Sequence, residues 1–310
     1  MQVFDRRQLR RARARGAGLG DPGVAQTTEA WLLDRLDDVR RRFHRALVLT
    51  ARPGALPGAL AARGVEFVTE AALDCPRRGT VMADEEFLPF GPGTFDLVMA
   101  PFCLHWTNDL PGALLQLRRA LAPDGLFLAN LPALGTLAAL REALIAAESG
   151  ATGGAHPRVS PFAELRDGAG LLQRAGFALP VADLDRLTLS YADPLRLLAE
   201  LRAAGETNAV AARSRRFLRR GVLLDALARL PRDQDGRIGC GVDVMTLSGW
   251  APGAGQQQAM APGAAAHRLA DALGAAEVSA GEAVSATGAC GPAGRGATRT
   301  AEGRRFNEPA

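Results

Sequence analysis

Lysine is absent from this 310-residue chain, in which all 37 basic residues are arginine. With its abundant Ala, Gly and Pro, the composition reflects GC-rich codon usage rather than a functional adaptation. No run approaches the roughly eighteen consecutive apolar residues of a membrane span, so no integral membrane segment is expected. The four cysteines (Cys75, Cys103, Cys240, Cys290) lie far apart, with no C-x-x-C pair and no His/Cys ligand spacing. That argues against a disulfide framework and a structural zinc, and for reduced thiols in a cytoplasm. No pair of histidines with a nearby carboxylate suggests non-haem iron. No Cys-His or Ser-His-Asp arrangement suggests covalent catalysis.

Charge narrows the partner class. The chain carries a net +4 with a pI near 9.3, yet residues 1–15 alone contribute +5 through six arginines and Asp5. The remainder is close to neutral. A basic arm on a neutral body is not a face that tracks a phosphate backbone, so nucleic acid is not expected as a partner. Residues 1–27 read as a solvated or partner-facing basic arm. After Gly249-Trp250 the text turns to Ala, Gly, Pro, Gln, Ser and Thr, with five acids balanced by five arginines. Residues 251–310 therefore read as a disordered low-complexity tail, with a turn or two of helix over His267–Leu273.

Between these ends, residues 28–250 alternate short apolar strands with helical patterns, the mark of an α/β parallel sheet. Strands are predicted at 46–49, 65–68, 80–82, 95–99, 126–131, 184–191 and 238–250. The spacing of Trp31, Leu32, Leu33, Leu36 and Val39 predicts a helix before the first strand. Asp109 as N-cap and Pro111 in the first turn open another, with Leu114, Leu117 and Leu121 on one face. Pro123-Asp124-Gly125 predicts a turn in which Gly125 takes a positive φ. Further helices are predicted at 136–147, 161–175, 194–202 and 215–230, the last two within an insertion at about 193–236 before the final strand.

In doubly wound sheets, ligands bind at the carboxyl ends of the strands beside strand one. The loop there, Thr50-Ala51-Arg52-Pro53-Gly54, keeps a single glycine where a cofactor-cradling turn normally carries several. Thr50 and Gly54 would face the ligand, Glu70 at the end of strand two would accept ribose hydroxyls, and Asp84 with Glu85 after strand three would meet adenine. His105 and Trp106 follow strand four, as a base or polar wall beside the reacting group. Packing accounts equally well for Trp106.

Val3-Phe4-Asp5-Arg6, Met82–Phe90, Leu104–Pro111, Pro123-Asp124-Gly125, Ser160-Pro161-Phe162, Gly205-Glu206-Thr207-Asn208, Asp235-Gly236 and Gly249-Trp250 occur in the order seen in one family. The chain resembles the complex I assembly factor 5 family, methyltransferase-like arginine hydroxylases with alphaproteobacterial members, over residues 1–250. A more distant resemblance is to the malonyl-carrier-protein methyltransferase of biotin synthesis. The resemblance implies a class I methyltransferase (Rossmann-like) fold with a seven-stranded sheet and S-adenosyl-L-methionine as cofactor. It also implies a protein substrate, a quinone-module subunit of complex I, modified on an arginine. The family's Asp-Val-Gly-Cys-Gly-Arg-Gly is replaced here by Val48–Gly54, and Gly135 replaces a common acid before Thr136-Leu137. A non-catalytic assembly chaperone and a small-molecule or carrier-protein methyltransferase are the alternative readings. The implied location is the bacterial cytoplasm, peripheral to the inner membrane, or the mitochondrial matrix in a eukaryote.

Overall fold

Strands buried on both faces need apolar residues at every position, and three central segments supply them. The computed structural model describes residues 2–17, 19, 23–52, 54–74, 79–256 and 269–276. Two units divide the chain, Met1–Gln256 and Gln257–Ala310. In the first unit the strands are β1 (Arg45–Leu49), β2 (Phe67–Ala72), β3 (Val81–Met82), β4 (Phe95–Pro101), β5 (Leu121–Pro132), β6 (Ala178–Tyr191) and β7 (Ile238–Trp250). They form one sheet in the order β3-β2-β1-β4-β5-β7-β6. The first five pair in parallel, and β7 lies antiparallel between β5 and β6. This is the class I methyltransferase topology that was expected, with its switch point between β1 and β4.

Helices α1 (Arg6–Gly16), α2 (Val24–Asp37), α3 (Leu56–Ala62), α4 (Leu110–Ala120), α5 (Ala138–Thr152), α6 (Leu165–Arg174), α7 (Pro194–Ala203) and α8 (Arg220–Ala228) complete this unit. Alternation along β1 sorts the two faces: Leu47 and Leu49 pack with Leu114 and Leu117 of α4 and Leu171 and Leu172 of α6. Ala46 and Val48 pack on the other side with Leu32 and Leu36 of α2 and Leu60 of α3. A third cluster joins α5, α7, α8 and the ends of β6 and β7. Cys103 and Cys240 are buried thiols. No helix among the described residues is long and apolar enough to cross a membrane. In the second unit, α9 (Leu269–Leu273) falls in the stretch where a short helix was predicted. Most of the tail, with Pro53, Cys75 and Cys290, lies outside the described residues.

The Pro123-Asp124-Gly125 segment, an irregularity near the start of β5, differs in one respect. The positive φ falls on Asp124, at 60°, not on Gly125. Glycine is needed next to it for space, since a Cβ would come within 2.8 Å of the Ala122 carbonyl.

The solvated reading of the N-terminal arm is corrected. Leu9 and Ala12 of α1 are fully buried, and Phe4 stacks edge-on against Trp106 at 5.1 Å. Arg6 and Arg13 lie two turns apart on the same face, pointing inward, while Arg7, Arg10, Arg11 and Arg15 point to solvent. Six arginines on one short helix conceal its single apolar stripe.

Candidate functional site

Thr50 follows β1, its N–H donating to the Ala71 carbonyl at 2.9 Å. The Arg52 N–H then bonds back to the Thr50 hydroxyl oxygen at 3.0 Å, a local turn that does without glycine. The Arg52 side chain crosses to the Ala203 carbonyl at the end of α7, 2.5 Å away. Gly54 faces α2, where a Cβ would overlap the Glu29 carboxylate.

A cavity of about 600 Å³ opens from this loop and passes between β4, α2 and the insertion. Thr50, Gly54 and Trp106 line it, joined by Glu29, Phe102 and Glu206. Its far end is apolar, walled by Leu140, Leu144, Leu189, Leu197 and Leu201. A volume of several hundred Å³ is typical of small-molecule or side-chain sites. Phe102 holds a strained φ of 43°. Its N–H is fixed at 3.0 Å to both oxygens of Asn130, whose own amide donates to the Thr28 carbonyl at 2.8 Å. Strain held by a buried network of this kind is common at ligand walls.

The structure brings His105 and Trp106 together but gives them an indirect place. Both donate to one oxygen of Glu206, His105 from Nε2 at 3.0 Å and Trp106 from Nε1 at 2.9 Å. His105 stands behind this carboxylate, outside the cavity lining, because a single 3-10 turn (Leu104–Trp106) directs it toward α7. Burial pushes the Glu206 carboxyl up, but the charges of His105 and Arg13 and the two donated hydrogen bonds outweigh it. Its pKa stays below the ordinary glutamate value, so the cavity holds an ionised carboxylate at neutral pH.

Helix α7 delivers that residue through a Schellman ending. Gly205 takes φ 75° and donates to the Arg202 carbonyl at 3.1 Å, while Glu206 N–H reaches Leu201 at 2.9 Å. Gly205 also lies close against α1, where a Cβ would stand 3.1 Å from the Arg13 Cα. Gly205→Ala should therefore cost about 1–2 kcal/mol from the left-handed backbone alone. A lowered denaturant midpoint with an unchanged m-value is the expected reading.

The three predicted acids stand apart from the cavity. Glu70 is buried within β2, opposite Val48 and two residues before the strand ends, with the Thr80 hydroxyl 3.5 Å away. Asp84 takes Arg6 Nη2 and the Glu86 N–H on its Oδ1, at 2.7 and 3.0 Å. Glu85 is 2% exposed and faces α1, between Arg6 on one oxygen and Arg13 at 3.6 Å on the other. Arg6 also donates to the Trp106 carbonyl at 3.1 Å, linking the Asp84 side to the Glu206 side. At Gly135, where the family commonly carries an acid, a Cβ would overlap Asp243, whose carboxylate is paired with Arg186. The described residues hold no cluster of metal-ligating side chains.

One wall of the cavity carries Arg158, held by Glu148 of α5 through hydrogen bonds at 3.2 and 2.6 Å. The Arg158 hydrogen bonds, opposed by burial and helped by His156, hold the Glu148 carboxyl down at about 2. A depressed carboxylate stabilises the fold fully above its unfolded pKa and loses this contribution as pH falls through about 2. Glu148→Gln should cost on the order of 2 kcal/mol at neutral pH, allowing for screening. The deficit should vanish in acid-unfolding curves near the bottom of that window.

Glu206, Glu29 and Arg6 were assigned no site role in the sequence reading. Two of them did sit in quoted motifs, Arg6 in Val3–Arg6 and Glu206 in Gly205–Asn208. Residues 61–129 match the family model described as a methyltransferase domain (Methyltransf_11). The chain is 34% identical to the mitochondrial arginine-hydroxylase NDUFAF5 of Danio rerio, covering 87% of this chain and 89% of that protein. It is 33% identical to its Homo sapiens counterpart, over 81% of this chain and 77% of that one. It is also 30% identical to the malonyl-[acyl-carrier protein] O-methyltransferase of Methylovorus sp. (strain MP688), over 81% and 90%.

Proposed function

Because this chain belongs to the NDUFAF5 arginine-hydroxylase family, we propose that it is a methyltransferase-fold enzyme of respiratory complex I assembly that modifies an arginine of a quinone-module subunit. The observation that carries this is Glu206, an ionised carboxylate on the wall of a side-chain-sized cavity. Guanidinium groups pair with carboxylates through two parallel, charge-assisted hydrogen bonds. His105 and Trp106 occupy one Glu206 oxygen, and the other makes no hydrogen bond with a described residue. Such an arrangement suits a cation with planar donors. Glu206 binds and orients; His105 and Trp106 position it.

The residues fit S-adenosyl-L-methionine in kind. Gly54 keeps a cradle that a Cβ would fill, bordered by the Glu29 carboxylate. Asp84 spends only Oδ1 on Arg6 and Glu86, leaving Oδ2 for an adenine amino group. Thr50 and Gly54 would meet the methionine end, with Glu70 and Asp84 forming the ribose and adenine edge; Glu85, expected beside adenine, is instead enclosed by Arg6 and Arg13 of α1. When bound, the cofactor supplies an electrophilic methyl group. The work takes place at the cytoplasmic face of a bacterial inner membrane, or in the matrix of a eukaryote.

A second reading, O-methylation of a carrier-protein ester, is supported by the 30% identity to the malonyl-carrier enzyme. The third reading, a chaperone without chemistry, is supported by the side chains of Thr50 and Arg52 in the loop. Complex I subunits should be purified from cells lacking the gene and from cells with it restored, and their arginine peptides weighed. A gain of one oxygen or one methyl on restoration supports arginine modification. Restored assembly without a mass change leaves the chaperone, and a biotin requirement instead of an assembly defect leaves the carrier-protein reading.

A further inference from the structure

Charge on this molecule is used differently at its two most basic segments. In α1, Arg6 and Arg13 are inward and paired with acids, and Arg10 lies 4.0 Å from Asp74. The segment between α7 and α8 behaves otherwise. It is pinned at its start, Ala211 N–H to the Val3 carbonyl at 2.8 Å and Arg213 to Asp5 at 2.9 Å. Leu218 packs against the α7–α8 cluster at its end. Between these anchors Phe217 is 100% exposed. Arg215, Arg216, Arg219 and Arg220 flank it, all exposed, and none pairs with an acid among the described residues.

From this segment we infer a docking surface for an acidic protein partner, one that offers an apolar recess to the Phe217 ring and carboxylates to the four arginines around it. An aromatic side chain ringed by arginine is the composition of interface centres, where apolar anchors give affinity and charges give rate and register. Nothing inside the fold uses either feature. Position favours a protein over a lipid surface. Thr207 and Asn208 line the cavity, and the Val210 N–H bonds back to Asn208 Oδ1 at 3.0 Å. The segment thus continues directly from the cavity wall that bears Glu206. A polypeptide with one side chain in the cavity lays its neighbouring surface across this rim. The inference deepens the arginine-modifying reading by giving its protein substrate a second contact, and stands on the surface itself for the docking.

The test places a photo-crosslinking benzoylphenylalanine at position 217 of the full chain, in cells lacking the native copy. The expected adduct is with one protein, at a peptide carrying Asp or Glu beside an apolar residue. Arg215→Glu with Arg216→Glu should reduce that adduct at least tenfold without moving the melting temperature. Glu206→Gln should leave the adduct intact. An adduct with phospholipid, or co-sedimentation with phosphatidylglycerol vesicles that depends on Phe217, overturns the proposal in favour of a membrane. Equal capture by the charge-reversed variant, or no adduct, also overturns it. A charge-dependent adduct whose partner never gains mass upholds the docking surface while removing the arginine-modification reading.

Discussion

Glu206→Gln is expected to reduce modification of the partner arginine by two orders of magnitude or so while leaving the protein folded. The glutamine oxygen can still accept from His105 and Trp106, which hold the present carboxylate at 3.0 and 2.9 Å. What disappears is the negative charge that would face a guanidinium. Loss of one partner in a desolvated charge pair costs about 2–5 kcal/mol, and each 1.4 or so is tenfold. Single-turnover measurements on the isolated subunit should place most of the loss in seating the arginine in the cavity, after the subunit has docked. A Glu206→Gln protein that modifies the subunit at the wild-type rate would exclude Glu206 as the receiving group. His105→Ala should give a smaller effect, because it removes one of two groups that orient the carboxylate and touches no substrate.

Arg6→Ala is expected to be the most destabilising single change outside the sheet. It strips Glu85, a 2% exposed carboxylate, of its closest partner and leaves only Arg13 at 3.6 Å. It also frees Asp84 and the Trp106 carbonyl. Breaking a buried ion pair from one side costs about 3–5 kcal/mol. At roughly 2–4 °C per kcal/mol for a domain of this size, the melting temperature should fall by on the order of 10 °C. The double change Arg6→Ala with Glu85→Ala should recover part of the loss, since the buried charge goes with its partner. If Arg6→Ala melts with the wild type, α1 is not seated against the β3 loop in solution, and the solvated reading of residues 1–27 returns.

These two residues mark where sequence reasoning stops. The sheet was legible because Ala46–Leu49, Phe95–Met99 and Leu126–Leu131 are apolar runs bounded by turn residues, and burial on both faces leaves no other solution. Strand β2 was read two residues early, at 65–68, because Val65 and Val68 are more apolar than Thr69-Glu70-Ala71-Ala72, which pairs with β1 and β3. Strand β6 runs from Ala178, six residues before its predicted start, because an edge strand with an irregularity between Ala178 and Val181 lacks the clean alternation of its second half. Helix α8 begins at Arg220 and not at 215. Extending it would stack Arg215 on Arg219 and Arg216 on Arg220, like charges four residues apart. The helix α3, short and with Pro57 and Gly58 in its first turn, was not predicted at all.

For the site, strand ends located Thr50, Gly54 and Asp84 along the chain, whereas Glu70 was taken for a strand-end residue because β2 was read as ending at 68; the single glycine of the loop warned that the cradle would be built differently. That Glu29 and Arg52 occupy its surroundings depends on α2 and α7 folding over β1, which no local pattern encodes. Glu206 meets Trp106 across a hundred positions of sequence. Its function as the carboxylate of the cavity follows from that encounter alone.

Whether the chain is an enzyme or a scaffold turns on the cofactor end, so calorimetric titration of the full-length protein with S-adenosyl-L-methionine is the most direct measurement. A saturable 1:1 heat is predicted, together with thermal stabilisation of about 2.7 kcal/mol at a hundredfold excess over the dissociation constant. Asp84→Asn should weaken both, because the adenine edge loses its acceptor charge. No heat and an unmoved melting temperature at saturating cofactor would contradict the enzyme reading and leave a methyltransferase fold that only escorts its partner.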